Sequence, residues 1–597
     1  MNYLVVVDPD AARRQAYLEA WRGEIALMPG LTVREHHAGD CSMLFATAPT
    51  TPVDVAGTGD RLAVLLGRAH DGAVLQPASR LLVPDAEGVP TARDGLHVTI
   101  RWDGHRLSVH GDVLGCVPIY AGTFRDGVIV ASSPELFKRH PAVHLSFDPD
   151  GLVGLLMTMV TLRGRTLFRE VRRLAAGHVL EWETGTGIRE VKQYEPALDA
   201  SVYDGSLEGA VERLDRVMAD AVRELLPPPG RSFGQMLSGG LDSRVVAGYL
   251  SQHAADRPVE AVTLGVDSDL ELRCARSVAH ALDFRHHATE IDETRAAEMA
   301  SLQARWEQGL GGFANVNSWA IPRAIRGLAD EMVTGYLLDS VIGGAHVTKA
   351  LIGPEEERGF PRLWRLTRQY GLKDDTLARL LQPEVLGNRL QELTEECRAT
   401  FDGYARRSSL RPWLFDLLHR QRLHGGRLLW VMSFATWPST PALSRAVLDL
   451  VSAMPAAVIG GRRLQQDLVI RRFPALARLP IDRNSREVAP LVQPWQSTGQ
   501  ILLGRLRGRA ERARRRLRPL QEPRRYFRIY DYNGTAWRAV RARAHEHRRN
   551  ASAVLRADVL DEVTGRPDEI VEMRDGIVDS AGRKSVLGFL LWSADNL

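Results

Sequence analysis

Along the first 200 residues, apolar and polar positions alternate in short runs. Residues 61–66, 97–102, 106–110 and 127–131 each follow a period near two and are separated by Gly/Asp turns, the pattern of half-buried strands. The opening run Met1-Asn2-Tyr3-Leu4-Val5-Val6-Val7-Asp8 reads as a further strand. It lacks the basic segment, apolar stretch and small-residue cleavage site of a signal peptide. A helical piece near 149–160 interrupts the strands, and 196–205 reads as a linker.

From about residue 206 the period changes. Leu207, Val211, Leu214, Val217, Val222 and Leu225 mark an amphipathic helix that ends at Pro227-Pro228-Pro229-Gly230. Strands at 233–237, 259–264 and 285–291 then alternate with helices at 243–252 and 270–282. Such alternation predicts a parallel sheet with helices on its faces. From about 360 onward the pattern is mostly helical. The expected class is therefore α/β: a β-rich unit in residues 1–200, a parallel-sheet unit in 206–490 and a helical extension in 491–597.

Composition narrows the possibilities. The chain has 597 residues, 44% hydrophobic and 25% charged, ordinary values for a globular protein, and no apolar run approaches the ~18 residues of a membrane span. Four scattered cysteines, Cys41, Cys116, Cys274 and Cys397, with no CxxC pair, argue against a disulfide framework or a zinc site and fit a reducing cytoplasm. The net charge of +4 is unevenly spread, because residues 501–550 hold 16 arginines against four acidic residues. The aromatics Tyr526, Phe527, Tyr530, Tyr532 and Trp537 follow the densest basic run, 505–518, and are not threaded through it. A nucleic-acid stacking platform interleaves the two, so the run reads as an arginine-rich helical surface and no nucleic-acid partner is expected.

The candidate chemistry sits at the first strand-to-helix junction of the parallel sheet, Leu237-Ser238-Gly239-Gly240-Leu241-Asp242-Ser243. A helix N-terminus presents unpaired N–H groups and partial positive charge, which suit an anion. Gly239 and Gly240 are expected to take positive φ and let the backbone approach the ligand, while Ser238 and Ser243 add hydroxyls. Asp242 would repel phosphate unless it holds a magnesium ion, which takes one or two carboxylates plus phosphate oxygens. With no lysine, the loop is not a Walker A P-loop.

This loop resembles the pyrophosphate loop of the ATP pyrophosphatases, which cleave ATP between the α and β phosphates and pass AMP to a carboxylate. The segment from Leu264 through Asp269-Leu270-Glu271 to Arg276, followed by His286-His287, is similar to the nucleotide-side segment of asparagine synthetases and, more closely, of β-lactam synthetases, which implies that Leu264 packs against adenine. Thr334-Gly335-Tyr336-Leu337-Leu338-Asp339 resembles the second motif of that superfamily. The resemblance implies that Gly335 contacts the nucleotide and that Asp339 joins Asp242, more than 90 residues away, as the other magnesium ligand. Both follow apolar strands and can meet at the carboxyl edge of the sheet. ATP and Mg2+ are the implied cofactors.

Tyr336 stands where asparagine synthetases carry a glutamate and the β-lactam-forming relatives a tyrosine that helps deprotonate an attacking amine. The glutamate partner of that tyrosine has no evident match: counting back from Thr436–Leu450 lands near His424-Gly425-Gly426, without a carboxylate. The lysine that stabilises charge after adenylation in relatives is also missing, and around 479–486 only Arg483 and Arg486 offer a cation in its place.

Residues 60–195 resemble the glutaminase-type, Ntn-hydrolase-like αββα domain of the same superfamily. Such a glutaminase needs an N-terminal cysteine. Residue 2 is Asn2, and Cys41 and Cys116 are internal, so the domain is expected to be silent and the nucleophile to be an amine already on the substrate. Within the superfamily the chain looks most like lasso peptide cyclases. That resemblance implies a precursor peptide as substrate, with a leader peptidase and a leader-recognition protein as partners. A β-lactam-type small-molecule amide synthetase, an ammonia-dependent asparagine synthetase and, from another class, a non-catalytic scaffold remain as alternatives.

Overall fold

The computed structural model describes the chain except residues 73, 83–91, 197–202, 255–256, 355–357, 405–407, 483–488, 493–505, 507–508, 511–530 and 574–576. The alternating runs of the first 200 residues form two six-stranded sheets. In one, Asn2–Val7 lies between Gly127–Ala131 and Cys41–Thr47, antiparallel to both. In the other, His97–Trp102 lies between Arg61–Gly67 and Arg106–Gly111. Period-two alternation is absent from Asn2–Val7 because it is buried at every position, in a core that also takes up Tyr17, Leu18 and Trp21 of helix Ala11–Arg22.

The second unit contains a five-stranded parallel sheet in the order Arg285–Thr289, Val259–Leu264, Phe233–Met236, Glu331–Val333, Trp437–Ser439. Phe233–Met236 is central and pairs with Val259–Val262 on one side and Glu331–Val333 on the other. The two loops singled out in the sequence therefore leave neighbouring strands at the same edge. The last strand, Trp437–Ser439, lies inside the stretch expected to be helical. It is three residues long and carries Pro438, a residue that only an edge strand accommodates, so period-two alternation has no length in which to show. The preceding amphipathic helix, Leu207–Glu224, starts where Ser206 accepts a hydrogen bond from the Gly209 N–H, an N-cap of the usual kind.

The C-terminal helices pack onto the rest of the molecule. In Val578–Ser593, Phe589 and Trp592 meet Phe147, and Trp592 meets Phe168. Tyr532 is buried, stacks on Trp537 at 6.0 Å and donates to the Thr564 carbonyl. Arg541 covers Tyr532 and Lys584 covers Trp537. These two aromatics are core residues. The basic run 505–518 lies almost wholly outside the described residues, as do Tyr526, Phe527 and Tyr530.

A buried ion pair joins the helix Ala296–Glu307 to the helix Arg427–Met432: Arg427 reaches both Glu307 oxygens at 2.9 Å, and Trp319 donates to the same carboxylate at 2.7 Å. Burial raises the Glu307 pKa, against the lowering effect of Arg427 and Trp319. Arg427→Met removes the cation and strands a carboxylate in the core. It is expected to lower stability by about 3–5 kcal/mol, read as a shift in the urea midpoint. An unchanged midpoint would show the pair to be energetically neutral.

Candidate active site at the edge of the parallel sheet

The Ser/Gly loop leaves the central strand and enters helix Leu241–His253, with Gly240 as N-cap. Its conformation is fixed by its two serines. Ser238 Oγ and Ser243 Oγ lie 2.8 Å apart, the Ser243 hydroxyl donates to the Ser238 carbonyl at 3.0 Å, and the Gly240 N–H donates to Ser238 Oγ. Behind the loop, Gln235 donates to the Ser243 carbonyl at 2.6 Å.

The expectation of positive φ at the two glycines is not met. Gly240 has φ of −82°, and Gly239 is not among the positive-φ glycines. Gly239 is needed for space instead: a Cβ there would stand 2.7 Å from Cys274 Cβ and 3.0 Å from both Asp482 Cβ and the Glu271 carbonyl. The loop is thus pressed between the start of helix Leu270–Ala281 and the segment at Asp482, whose N–H donates to the Gly239 carbonyl at 3.0 Å. Glu271, desolvated there and facing Asp482 and Asp269, has its pKa raised to about 8.

The second loop packs directly on the first. A Cβ on Gly335 would lie 2.7 Å from the Asp242 carbonyl carbon and 2.8 Å from the Ser243 nitrogen, so only glycine permits this approach. Leu337 takes a left-handed conformation, φ 70°, a strained state for a residue with a side chain and one that clusters at functional sites. The turn it makes starts helix Leu338–Val341, which carries Asp339. Tyr336, on the second loop, is half-buried, its carbonyl accepting from the Thr440 hydroxyl at 2.9 Å. Leu264, at the end of its strand, is 9% exposed on the same edge.

Asp242 and Asp339 face each other closely enough to affect each other's ionisation. Burial raises the Asp242 pKa and the Asp339 charge adds to this, opposed by Arg462 and Gln465. Burial also acts to raise Asp339, but the His346 hydrogen bond and charge, Arg462 and Ser340 outweigh it, so that Asp339 is lowered. His346 Nε2 stands 3.1 Å from Asp339 Oδ2. Arg462 Nη2 and Gln465 Nε2 each donate to Asp242 Oδ1 at 2.6 Å. Among the described residues no group of three or more His, Cys, Asp or Glu converges as a metal cage. Two carboxylates alone fit magnesium, which keeps waters and takes most of its remaining ligands from substrate phosphates; Asp242 and Asp339 would hold it.

Arg462, Gln465 and His346 escaped the sequence reading. Arg462 and Gln465 flank the start of helix Arg463–Arg472, more than 200 residues from Asp242, and His346 follows Asp339 by seven residues, with no recognisable motif linking any of the three to either loop. Leu237, Ser238, Gly239, Gly240, Leu241, Asp242, Ser243, Gly335, Tyr336 and Asp339 do meet at one edge. Arg483 and Arg486 lie outside the described residues. Their neighbour Asp482 is held on the Ser/Gly loop, and Arg244, fully buried at the start of the loop's helix, donates to the Leu476, Leu479 and Pro480 carbonyls. That buried guanidinium anchors the chain leading to 483–488. The segment His424-Gly425-Gly426, where the tyrosine's partner was sought, carries no carboxylate. His424 is half-buried, and desolvation pushes its pKa down to about 3. Its Nδ1 stands 3.2 Å from the Gly311 carbonyl oxygen. The nearest acid along that stretch of helix is buried Asp416, paired with Arg420 at 3.5 Å and accepting from Gln421 at 3.1 Å.

A helix start with two carboxylates beside it, at the carboxyl edge of a parallel sheet, is suited to a phosphate-bearing ligand and its cation. Residues 213–455 match the asparagine synthase family model and residues 88–195 the glutamine amidotransferase domain model. Over these residues the chain is similar to the asparagine synthase family and to the amidotransferase domain. Among curated proteins it is similar to the carboxyethyl-arginine beta-lactam-synthase of Streptomyces clavuligerus, 26% identical over 261 residues, 42% of this chain and 47% of that protein. It thus spans about half the length of that relative. Solved structures matched include the glutamine phosphoribosylpyrophosphate amidotransferase of B. subtilis, at 10% identity, 49% of this chain, 81% of that chain and a TM-score of 0.23. Another is the NMN synthetase of Francisella tularensis, at 16% identity, 38% of this chain, 97% of that chain and a TM-score of 0.18. At these scores the likeness adds nothing to the fold described above.

Proposed function

We propose that this protein is an ATP-dependent amide-forming ligase that adenylates a carboxylate, releases pyrophosphate and transfers the acyl group to an amine. The observation that carries this reading is the packing of Gly335 on Asp242 and Ser243, which puts an anion-binding helix start and two carboxylates into one site on an asparagine synthase domain. The Ser/Gly loop and the helix start behind it would hold the phosphates. Magnesium on Asp242 and Asp339 would supply charge neutralisation as the α–β bond breaks. Leu264 would pack against the base.

The amine is proposed not to come from glutamine. All four cysteines are buried, and burial raises the thiol pKa of Cys41, Cys116, Cys274 and Cys397, which leaves inert thiols and no nucleophile. Asn2, at the head of its strand, donates to the Ile25 carbonyl and accepts from the Ser132 hydroxyl. The substrate then carries both carboxylate and amine, and the product is a ring. Our reading is macrolactam closure in a lasso-type precursor peptide, with a leader peptidase and a leader-recognition protein as accessory partners and the cytoplasm as its place of action. The β-lactam synthase among its relatives favours a second reading, the same chemistry on a small amino acid derivative. A peptide and a small acid are distinguished by which one supports pyrophosphate release.

Asp242→Ala and Asp339→Ala are each expected to leave a folded protein whose magnesium-dependent pyrophosphate release falls on the order of 10³-fold or more, the scale of lost charge stabilisation at the phosphates. Near-normal turnover in either folded variant would remove the assignment.

Tyr336, next to the Gly335 that rests on the first loop, is proposed to assist the amine after adenylation. A phenol ordinarily ionises near ~10, so the residue acts as a base only with help from a neighbouring charge. Tyr336→Phe is expected to keep ATP–pyrophosphate exchange while lowering amide formation by roughly 10²-fold, with both steps assayed on one preparation. A parallel fall in both would assign Tyr336 to nucleotide binding, and no fall in either would assign it to packing.

A further inference from the structure

The chain reverses at Gly461 and Arg462, with φ of 74° and 61°, just before helix Arg463–Arg472. Glycine adopts this conformation freely, whereas an arginine does so only when its surroundings impose it. Here the Arg462 N–H donates to the Gly343 carbonyl at 3.0 Å and the Gly461 N–H to the Thr348 hydroxyl at 3.0 Å, so the turn is fastened to the chain that follows Asp339. A Cβ on Gly343 would lie 3.0 Å from Arg462 Cγ. The side chain is therefore laid along the second loop toward the first. Its Nη2 meets Asp242 Oδ1 at 2.6 Å and its Nε donates to Gln465 Oε1 at 2.9 Å, while Gln465 Nε2 donates to the same Asp242 oxygen at 2.6 Å. Both Asp242 and Asp339 act on the guanidinium electrostatically. With side-chain exposures of 29% for Arg462 and 28% for Asp242, the pair remains open to solvent on one side.

We propose that Arg462 is a nucleotide-binding residue that exchanges partners: it neutralises Asp242 when the site is empty and turns to the triphosphate when the nucleotide arrives with its cation. Two carboxylates brought to one site repel each other, and the guanidinium offsets the charge of Asp242 while His346 stands against Asp339. A divalent cation on the same carboxylates repels the guanidinium, and the incoming phosphates provide oxygens that suit its planar fork of donors. Gln465 serves both states, because its amide holds Asp242 in place while its carbonyl oxygen releases or retains Arg462 Nε. This inference rests on the proposed nucleotide site.

The test reads metal binding without turnover. Free Mn2+ is titrated by electron paramagnetic resonance with wild type, Arg462→Gln, Arg462→Lys and Gln465→Leu, each checked for folding by thermal unfolding. Without nucleotide, Arg462→Gln is expected to bind Mn2+ about tenfold or more tightly than wild type, the scale of removing one unit charge a few ångströms away in a partly solvated site. Gln465→Leu, which loosens the clamp, should move the same way, and Arg462→Lys should stay near wild type. Binding of a non-hydrolysable α,β-methylene ATP analogue should weaken in Arg462→Gln. Mn2+ affinity that is unchanged or weaker in both folded Arg462→Gln and Gln465→Leu overturns the proposal, as does undiminished analogue binding in Arg462→Gln. If wild type binds neither Mn2+ nor the analogue, it is the nucleotide site itself that fails.

Discussion

Everything at this site depends on the contact between two backbones, Gly335 against Asp242 and Ser243. With a Cβ only 2.7 Å from its neighbour, no other residue lets the second loop rest on the first. That contact brings together two carboxylates more than 90 residues apart in the chain, and their burial, with the charge of Asp339 adding to it at Asp242, then sets the local chemistry. Asp242 rises, Asp339 is held low by His346 after burial is overcome, and Arg462 and Gln465 are drawn onto Asp242. The parallel sheet supplies the geometry, since Phe233–Met236 and Glu331–Val333 are adjacent and deliver both loops to one edge.

Local patterning made much of this legible. The strand 259–264 and the start of the helix at Leu207 follow directly from apolar spacing, and the loop helix differs from its expected span by only a residue or two at each end. The Ser/Gly loop was recognisable because its residues are contiguous and each has a chemical reason to be there. Arg462 and Gln465 were not, because they reach Asp242 only through tertiary packing, and His346, seven residues beyond Asp339, belongs to no motif that marks it. Gly239 shows a subtler limit: the residue type was significant, yet the cause is the crowding of Cys274, Asp482 and Glu271 and not a left-handed backbone. The edge strand Trp437–Ser439 was hidden by its brevity and its proline.

The N-terminal unit keeps two antiparallel sheets and a tightly packed core, and it is bound to the second unit through polar contacts. Ser433 Oγ accepts from the Met1 amine at 2.6 Å, Trp430 donates to the Met1 carbonyl at 2.8 Å, and Ser133 donates to the Trp306 carbonyl at 2.6 Å. With Glu307–Arg427 buried close by, this interface is built as protein core.

The most direct measurement is of the nucleotide products formed during single-substrate turnover, with AMP, ADP, pyrophosphate and phosphate resolved by chromatography alongside the amide. The account predicts AMP and pyrophosphate in equal amounts, each matching the amide formed, with no requirement for glutamine. ADP and phosphate as the products would contradict it, because they would mean that the β–γ bond is cleaved and that the carboxylate is activated as an acyl phosphate.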